Sequence, residues 1–266
     1  MLQKPVGIAA AERPHVHIVL SDRNWIIEEL ARHLVDTLPY VTADTSADPT
    51  AALQYYMTYS ARTKRVSPVE LALFTHREDE PNASRRFDEA AKAVDYAVSM
   101  SNATDRLVEA LGVVKRKCIC PGIDLDRFRP RLKIAVVGRT YHTGRKGEAL
   151  VRAAMNVPDI DWHFTGDGWP APGLHIAPEA LPEFYRSMDY VLVPATNEGG
   201  PMSVLEALAS GVPVIASDVG WAAEFPHIPF ERGNAASLRA VLERLRAERF
   251  ALRDHVVDMT WQSWAQ

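Results

Sequence analysis

Two carboxylates flank a pair of glycines in the segment Glu198-Gly-Gly-Pro-Met-Ser-Val-Leu-Glu206. Glycine lets the backbone approach a ligand without a side chain in the way. The residues that follow have the pattern of a helix start, where unpaired N–H groups and the helix dipole favour an anion. A phosphate is a natural ligand of such a helix start. The segment therefore predicts a phosphate site with a carboxylate on either side.

Cationic residues that could contact the same phosphate follow another strand pattern, at residues 132–137. Arg139 comes just after that run, and Lys146 follows a polar loop. Arginine can contact phosphate through two N–H groups, whereas lysine acts as a point charge. Glu206, on the helix, could accept paired hydrogen bonds from a ribose diol, and Glu198, in the loop, could bind sugar hydroxyls. This combination favours a nucleoside diphosphate that carries a sugar.

A pair of carboxylates could instead belong to a glycosidase, whose acid and nucleophile lie roughly 5–10 Å apart. Eight helical residues would separate Glu198 from Glu206 by about 12 Å from helical rise alone. The loop makes this distance only a guide. The two intervening glycines and the nearby cations nevertheless favour a phosphate between the carboxylates over glycosidase chemistry.

The elements that must position these residues alternate between strands and helices along the whole chain. Such alternation predicts parallel sheets covered on both faces, with ligands bound at the carboxyl ends of the strands. Residues 121–131 have the proline, glycine and alternating charge of a linker. We therefore predict an α/β protein of two domains, residues 1–130 and 131–266, whose last helix could pack back toward the first.

The same patterns predict the individual elements. Asn24 or Asp22 could cap the first helix, and the alternate residues Cys118 and Cys120 are expected to be reduced, buried thiols. The predicted strands are residues 15–20, 53–59, 71–75, 96–100, 118–120, 132–137, 162–165, 190–193 and 212–216. The predicted helices are residues 25–38, 86–93, 103–111, 146–155, 181–187, 203–209 and 236–246.

Several motifs together resemble one enzyme family, the group 1 glycosyltransferases, which are family four of the retaining GT-B enzymes. The motifs are Gly138-Arg139 with Lys146-Gly147, Glu198-x7-Glu206, Leu208-Ala-Ser-Gly-Val-Pro-Val-Ile-Ala216, and the interdomain segment Ile119-Cys-Pro-Gly-Ile-Asp-Leu-Asp-Arg-Phe-Arg-Pro130. Weaker similarities are Leu73-Phe-Thr-His76, the strand end at residues 95–101 and Thr260-Trp261. The resemblance covers most of the chain, but its specific motifs concentrate in residues 119–216.

The resemblance implies a GT-B fold, two Rossmann-like domains facing across a cleft, the first binding the acceptor and the second the donor. It implies that Arg139 and Lys146 bind the diphosphate of a UDP- or GDP-sugar such as UDP-glucose. His76 and Glu198 become the catalytic candidates, with transfer of a hexosyl unit and retention of configuration. The implied donor-binding set is Gly138, Arg139, Lys146, Gly166, Glu198, Gly199, Gly200, Pro201, Met202, Ser203 and Glu206. No bound metal and no tightly held cofactor are expected.

The amino-terminal half departs from the family pattern. The family's glycine-rich loop after its first strand is replaced by Ser21-Asp-Arg-Asn-Trp25, and this half is short for the family. Asn24, Trp25 and Arg77 are the acceptor-side candidates. The acceptor stays open among a glycan, a small metabolite, a lipid-linked intermediate and a modified DNA base. A non-catalytic nucleotide-sugar-binding or scaffold protein is the alternative function, and Tyr141-His142 has no assigned role.

Composition limits the partners and the location. The 266 residues carry a net charge of -4, with 47% hydrophobic and 24% charged residues. These values are ordinary for a globular protein and offer no electrostatic case for nucleic acid or an anionic membrane. Residues 1–7 lack the pattern of a signal peptide, and no apolar run is long enough for a membrane span. We therefore expect a cytoplasmic protein, whose oligomeric state the sequence leaves undetermined.

Overall fold

The computed structural model describes residues 13–265. Residues 1–7, considered above for a signal-peptide pattern, lie outside the described residues. The chain folds into two compact units. The first contains the described residues up to Phe128 together with those from Asp258 onward, and the second is Arg129–Val257. The closing residues thus return to the unit in which the chain begins.

The first unit is built on a six-stranded parallel sheet of order β2-β1-β3-β4-β5-β6. Its strands are β1 (Val16–Val19), β2 (Val41–Asp44), β3 (Leu53–Tyr56), β4 (Val69–Phe74), β5 (Tyr96–Ser99) and β6 (Arg116–Cys118). Its helices are α1 (Ile26–Thr37), α2 (Pro81–Ala93) and α3 (Asn102–Ala110). The terminal helix Trp261–Ala265 and a short 3₁₀ turn, Tyr59–Ala61, also belong to this unit.

The second unit is built on a five-stranded parallel sheet of order β11-β10-β9-β7-β8. Its strands are β7 (Leu132–Val136), β8 (Ile160–Phe164), β9 (Tyr190–Val193), β10 (Val214–Ala216) and β11 (Ile228–Pro229). Its helices are α4 (Glu148–Ala154), α5 (Leu181–Arg186), α6 (Met202–Ala209) and α7 (Ala235–Asp254), with 3₁₀ turns at Pro178–Ala180 and Gly220–Glu224. The predicted α/β class with two Rossmann-like parallel sheets is confirmed.

Strand β7, which pairs with β9 on one side and β8 on the other, shows why this sheet carries helices on both faces. Its side chains alternate, as they must in a strand. Ile134 packs with Val151 of α4 in one buried cluster, whereas Ala135 packs with Val204 and Ala207 of α6 in the other. Strands buried on both faces have nearly continuous apolar sequences, which is what residues 132–136 show.

Helix α1 does not begin as predicted, because neither Asn24 nor Asp22 caps it. Trp25 occupies the N-cap position and makes no side-chain cap hydrogen bond. Asn24 has a left-handed backbone (φ 64°), and its N–H donates instead to Glu28 Oε2 at 2.6 Å. The first-turn glutamate therefore replaces the expected cap, since a carboxylate can reach back to a free backbone N–H.

Several predicted bounds were wrong, and two strands were missed. β2 and β11 are edge strands with only four and two residues, too short for a periodic pattern. α2 begins at Pro81 rather than at Arg86, with Glu80 accepting from Ala83 N–H at 2.7 Å. α7 continues to Asp254, beyond the predicted end at residue 246. The prediction stopped short because charged residues on the exposed face of the helix obscured its periodicity.

Cys118 is half-buried and Cys120 is exposed, so the expectation of two buried thiols was wrong.

The terminal helix is held within the first unit by aromatic contacts. The Trp261 ring stacks on the His33 ring of α1, with centroids 3.9 Å apart and an interplanar angle of 10°. A side chain at Gly122 would collide with the backbone at Thr260 and Trp261. Among residues 13–265, no helix has the length and apolar character needed to cross a bilayer.

Candidate functional site

The Glu-Gly-Gly segment lies where the fold predicts a ligand, at the carboxyl end of a strand. β9 ends at Val193, and α6 begins at Met202 after a loop that contains Glu198. Pro201 occupies the N-cap position, and no side chain caps this helix. β9 and β7 are parallel neighbours, so the loops that follow them lie side by side. The free helix start therefore faces the loop that carries the cationic residues.

These loops enclose a cavity of about 570 Å³. Most of the predicted donor-binding residues line it, but Arg139 and Gly199 do not. The predicted residues found in its wall are Gly138, Lys146, Gly166, Glu198, Gly200, Pro201, Met202, Ser203 and Glu206. The structure thus brings together residues that lie far apart in the sequence.

Glu198 is held by two cations rather than one. Its Oε2 lies 2.7 Å from Lys146 Nζ and 3.0 Å from an Arg145 guanidinium nitrogen. The same guanidinium nitrogen donates to the Asn197 carbonyl at 3.2 Å. The Glu198 side chain is only 13% exposed, so its charge depends on these partners. Sequence reasoning missed Arg145, although its position beside Lys146 was a usable signal.

Backbone contacts set the spacing between Lys146 and Glu198. The Thr196 N–H donates to the Arg145 carbonyl at 2.9 Å, which joins the two loops. Gly147 has φ 86°, and a side chain there would collide with the Pro194 carbonyl. Only glycine suits both the left-handed conformation and this close approach. The spacing between Lys146 and Glu198 therefore rests on main-chain geometry.

Tyr141 lies against two arginines. Its ring centroid is 5.3 Å from the Arg139 guanidinium carbon and 4.7 Å from that of Arg145. A hydrogen bond with Arg139 is the main cause that holds the pKa of Tyr141 below its usual value. Cation–π contacts of this kind are favourable. The residue to which the sequence assigned no role thus holds Arg139 beside the cavity.

Glu206, the second predicted carboxylate, is held from below by a buried phenol. Tyr185 Oη donates to Glu206 Oε2 at 2.6 Å, and the Tyr185 side chain is buried. Desolvation, followed by this hydrogen bond, raises the pKa of Tyr185. One carboxylate oxygen is therefore fixed while the other can face a ligand. No sequence signal linked Tyr185 to this glutamate.

The two glycines of the loop have different surroundings. A Cβ on Gly200 would lie 2.7 Å from the Trp221 ring, whereas a Cβ on Gly199 would meet nothing within 4 Å. Trp221 Nε1 donates to the Pro201 carbonyl at 3.1 Å, which fixes its ring beneath the loop. Gly200 is therefore required by packing, and Gly199 leaves open space beside the backbone.

The opposite wall of the cavity is formed around Gly138. Its N–H donates to Thr165 Oγ1 at 2.9 Å, and its carbonyl accepts from Trp169 Nε1 at 2.6 Å. Gly166 has φ 72°, and a Cβ there would lie 2.9 Å from the Arg139 amide nitrogen. The turn after β8 is thus packed against the backbone that carries Arg139.

The remaining candidates belong to the first unit. His76 Nδ1 is 3.0 Å from Thr75 Oγ1, and its Nε2 is 3.0 Å from Glu78 Oε1, with the side chain 67% exposed. Arg77 donates twice to Asp88, at 2.8 and 2.9 Å, which occupies its guanidinium fork.

Asn24 and Trp25 line a second cavity, of about 720 Å³, at the start of α1. Trp25 is 65% exposed there. Both residues belong to the segment 21–25, which stands where the family has its glycine-rich loop, so this cavity lies beside that segment.

Comparisons with known proteins agree on one family. Residues 123–247 match the model described as Glycosyl transferases group 1. The chain is 29% identical over 226 residues to a D-inositol 3-phosphate glycosyltransferase of Geodermatophilus obscurus, covering 82% of this chain and 44% of that protein. A protein of the same name from Segniliparus rotundus is 26% identical over 245 residues, covering 85% and 50%. The chain thus spans about half the length of the curated relatives it matches.

Among solved structures, a sucrose-phosphate synthase from Thermosynechococcus elongatus aligns with 94% of this chain and 96% of its own, at 15% identity and a TM-score of 0.39. The family match contains every residue that lines the 570 Å³ cavity, together with the whole Glu-Gly-Gly segment and both cations that pair with Glu198. Residues 123–247 are thus similar to the group 1 glycosyltransferases, and the relatives that match most of the chain are named glycosyltransferases.

Proposed function

We propose that the second unit binds a nucleotide-diphosphate sugar and that the protein transfers a hexosyl unit from it to an acceptor hydroxyl. The observation that carries this proposal is the cavity in which the uncapped start of α6, Lys146 and two carboxylates meet. An anion suits the helix start, and a diol suits a carboxylate such as Glu206. A UDP- or GDP-sugar, including UDP-glucose, supplies both groups.

The double ion pair explains how the donor could displace one cation without leaving a bare carboxylate. Lys146 and Arg145 both neutralise Glu198 Oε2. When a diphosphate enters, Lys146 can turn to it while Arg145 still compensates Glu198, which is largely buried. Glu198 then accepts hydrogen bonds from hydroxyls of the transferred sugar.

Catalysis in this proposal relies on stabilising the departing nucleotide. Negative charge grows on the β-phosphate as the glycosidic bond breaks, and in this proposal the start of α6, Lys146 and Arg139 stabilise it. Such stabilisation takes the role of a metal ion, in keeping with a metal-independent reaction. We include retention of configuration and a contact between His76 and the sugar in the proposal.

The test of the site is nucleotide release from a panel of UDP- and GDP-sugars. We expect Glu198→Ala and Arg139→Ala to lower release by at least about 10-fold, since each removes one oriented charge. Arg186→Ala is the matched control, because Arg186 pairs with Glu183 on the exposed side of α5. Release that is the same in all three variants would contradict the assignment of the site.

The acceptor is tested with the same protein and a panel that includes glycans, modified DNA, lipid-linked intermediates and small metabolites. The relatives' name makes inositol 3-phosphate the first metabolite to test. Binding of the donor without turnover across the whole panel would favour the non-catalytic scaffold. A cytoplasmic location remains a prediction from the sequence.

A further inference from the structure

Two histidines and an aspartate meet at the amino end of β1, in the first unit and outside the sites described above. His15 and His17 lie on the same face because side chains alternate along a strand. Thr42 is the register partner of His17 on the edge strand β2. One ligating atom from each of His15, His17 and Asp48 lies within 4.8 Å of one from each of the others.

Metal binding requires neutral imidazole, and in that form hydrogen bonds determine which ring nitrogen of His15 and His17 carries the hydrogen. His17 Nε2 is 2.9 Å from the Ser46 carbonyl, which can only accept, so this nitrogen carries the hydrogen. His17 Nδ1 must then accept from Thr42 Oγ1, at 2.8 Å. The Thr42 hydroxyl has one hydrogen, so at its other contact, also 2.8 Å, it accepts from His15 Nε2. His15 Nδ1 is left with a lone pair.

That lone pair faces a carboxylate oxygen that is oriented in advance. Asp48 Oδ1 accepts from the Thr50 N–H at 2.8 Å and from the Thr50 hydroxyl at 2.7 Å. The buried Gln54 holds the Asp48 main chain through its side-chain amide, which both donates to the carbonyl and accepts from the N–H. Asp48 Oδ2 therefore remains directed at His15 Nδ1, 3.9 Å away.

This separation is too long for a hydrogen bond, and both atoms are acceptors. It suits two ligands of one metal ion, because two bonds of about 2.0–2.2 Å span it. Tetrahedral coordination by three residues needs mutual distances of about 3.4 Å, so the ligands must draw together by roughly 0.5–1.4 Å. Side-chain torsions can supply a shift of that size.

We propose that His15, His17 and Asp48 form a binding site for a divalent transition-metal ion, with Zn²⁺ the best match. Imidazole nitrogens with one carboxylate are a donor set that suits zinc, and the fourth position would go to water. The bonds from His15 Nε2 to Thr42 and from His17 Nε2 to the Ser46 carbonyl are second contacts of the kind that orient metal-bound histidines. His17 Nδ1 would exchange its bond from the Thr42 hydroxyl for the bond to the ion. The ion would join the loop after β2, residues 45–52, to the beginning of β1.

The test is Zn²⁺ titration of the full chain by calorimetry. Cys118 and Cys120 could also bind zinc, so the titration is run on both the natural chain and Cys118→Ser/Cys120→Ser. We expect one equivalent of Zn²⁺ to bind to each. In the cysteine-free chain, His15→Ala and Asp48→Asn should each weaken binding by at least about 10-fold.

His175→Ala is the matched control, because His175 is an exposed histidine that also faces an aspartate, with 3.6 Å between His175 Nε2 and Asp167 Oδ1. It should bind zinc as well as the parent chain does. Circular dichroism checks that each variant folds, and His15 is exposed enough that its loss should be tolerated. A second readout needs no substitution, since Zn²⁺ should shift the ring ¹⁵N signals of His15 and His17.

Two results would overturn the proposal. One is binding of unchanged affinity and stoichiometry in both His15→Ala and Asp48→Asn. The other is the absence of binding to the cysteine-free chain at Zn²⁺ concentrations up to about 100 μM. Unmoved ring signals of His15 and His17 at saturating Zn²⁺ would have the same meaning.

Discussion

Replacing the two loop glycines one at a time separates packing from ligand approach. In Gly200→Ala, the new Cβ would lie 2.7 Å from the Trp221 ring, and ordinary contact begins at 3.4 Å. The ring or the loop must therefore move by 3.4 − 2.7 = 0.7 Å. Overpacking of this kind costs about 1–3 kcal/mol of unfolding free energy. The matched change Gly199→Ala meets no atom within 4 Å and should cost almost nothing.

The shift should also reach the site, because Trp221 Nε1 donates to the Pro201 carbonyl at the start of α6. Misplacement by about 1 Å can reduce a reaction rate by about 100-fold. We therefore expect kcat/KM for nucleotide release to fall by about 10–100-fold in Gly200→Ala. Gly199→Ala, in contrast, should reduce it only if a Cβ obstructs the ligand, and should leave stability unchanged.

The assays are urea denaturation and steady-state release of nucleotide. Trp221→Phe supplies the internal check, since phenylalanine lacks the outer ring atoms that the Cβ would contact. In that background, Gly200→Ala should cost less than it does alone, as expected for residues in direct contact. Equal stability of the two alanine variants, or additive costs in the double variant, would refute the reasoning.

Three further predictions concern charged groups. Arg145→Gln leaves Glu198 with a single cation and should weaken nucleotide-sugar binding by about 3–10-fold, measured by calorimetry, because the carboxylate then competes with the diphosphate for Lys146. Tyr185→Phe removes the buried hydrogen bond to Glu206 and should lower the unfolding free energy by about 1.5–3 kcal/mol, measured by urea denaturation. Hydrogen bonds from Arg129, and then from Arg246, lower the pKa of Asp159 to about 2 from 3.8. Since a depressed carboxyl pKa stabilises the fold above the unfolded value, that stability should be lost as the pH falls from about 5 to about 2. Asp159→Asn should therefore be less stable than the natural chain at pH 7 and approach it at pH 2.

Matched controls accompany these variants. Arg186→Gln removes an exposed arginine from the same unit and should not change nucleotide-sugar binding. Phe184→Leu changes a ring beside Tyr185 without touching Glu206, so it should cost less unfolding free energy than Tyr185→Phe. Asp167→Asn removes an exposed aspartate and should leave the acid limb of the stability curve in place. A natural chain whose stability is flat between pH 5 and pH 2 would contradict the Asp159 prediction.

Local patterns were sufficient for the elements that carry long apolar runs. β7 and β9 could be predicted because nearly all of their residues are buried on both faces and, apart from Lys133, apolar. β2 and β11 could not, because edge strands of four and two residues leave no readable period. The end of α7 was missed for another reason, since its last turns expose charged residues such as Glu248 and Asp254.

The first unit shows the same division at its candidate residues. The sequence could nominate Asn24 and Trp25 by their position after the first strand. It could not show that Glu28 takes over the capping role, or that Arg77 is already occupied by Asp88. Both outcomes depend on side-chain partners that no local pattern specifies.

The sequence by itself determined which chemical groups are available for binding a ligand. The glycines before a helix, an arginine and lysine after one strand, and carboxylates at 198 and 206 predicted an anion site at the carboxyl ends of strands. The tertiary structure alone decided how these groups pair. Arg145 contacts Glu198 across 53 residues of sequence, and Tyr185 contacts Glu206 across 21. These partners follow from the order of β9 beside β7 and from the packing of α5 on α6, and strand order is a property of the folded sheet rather than of any one segment.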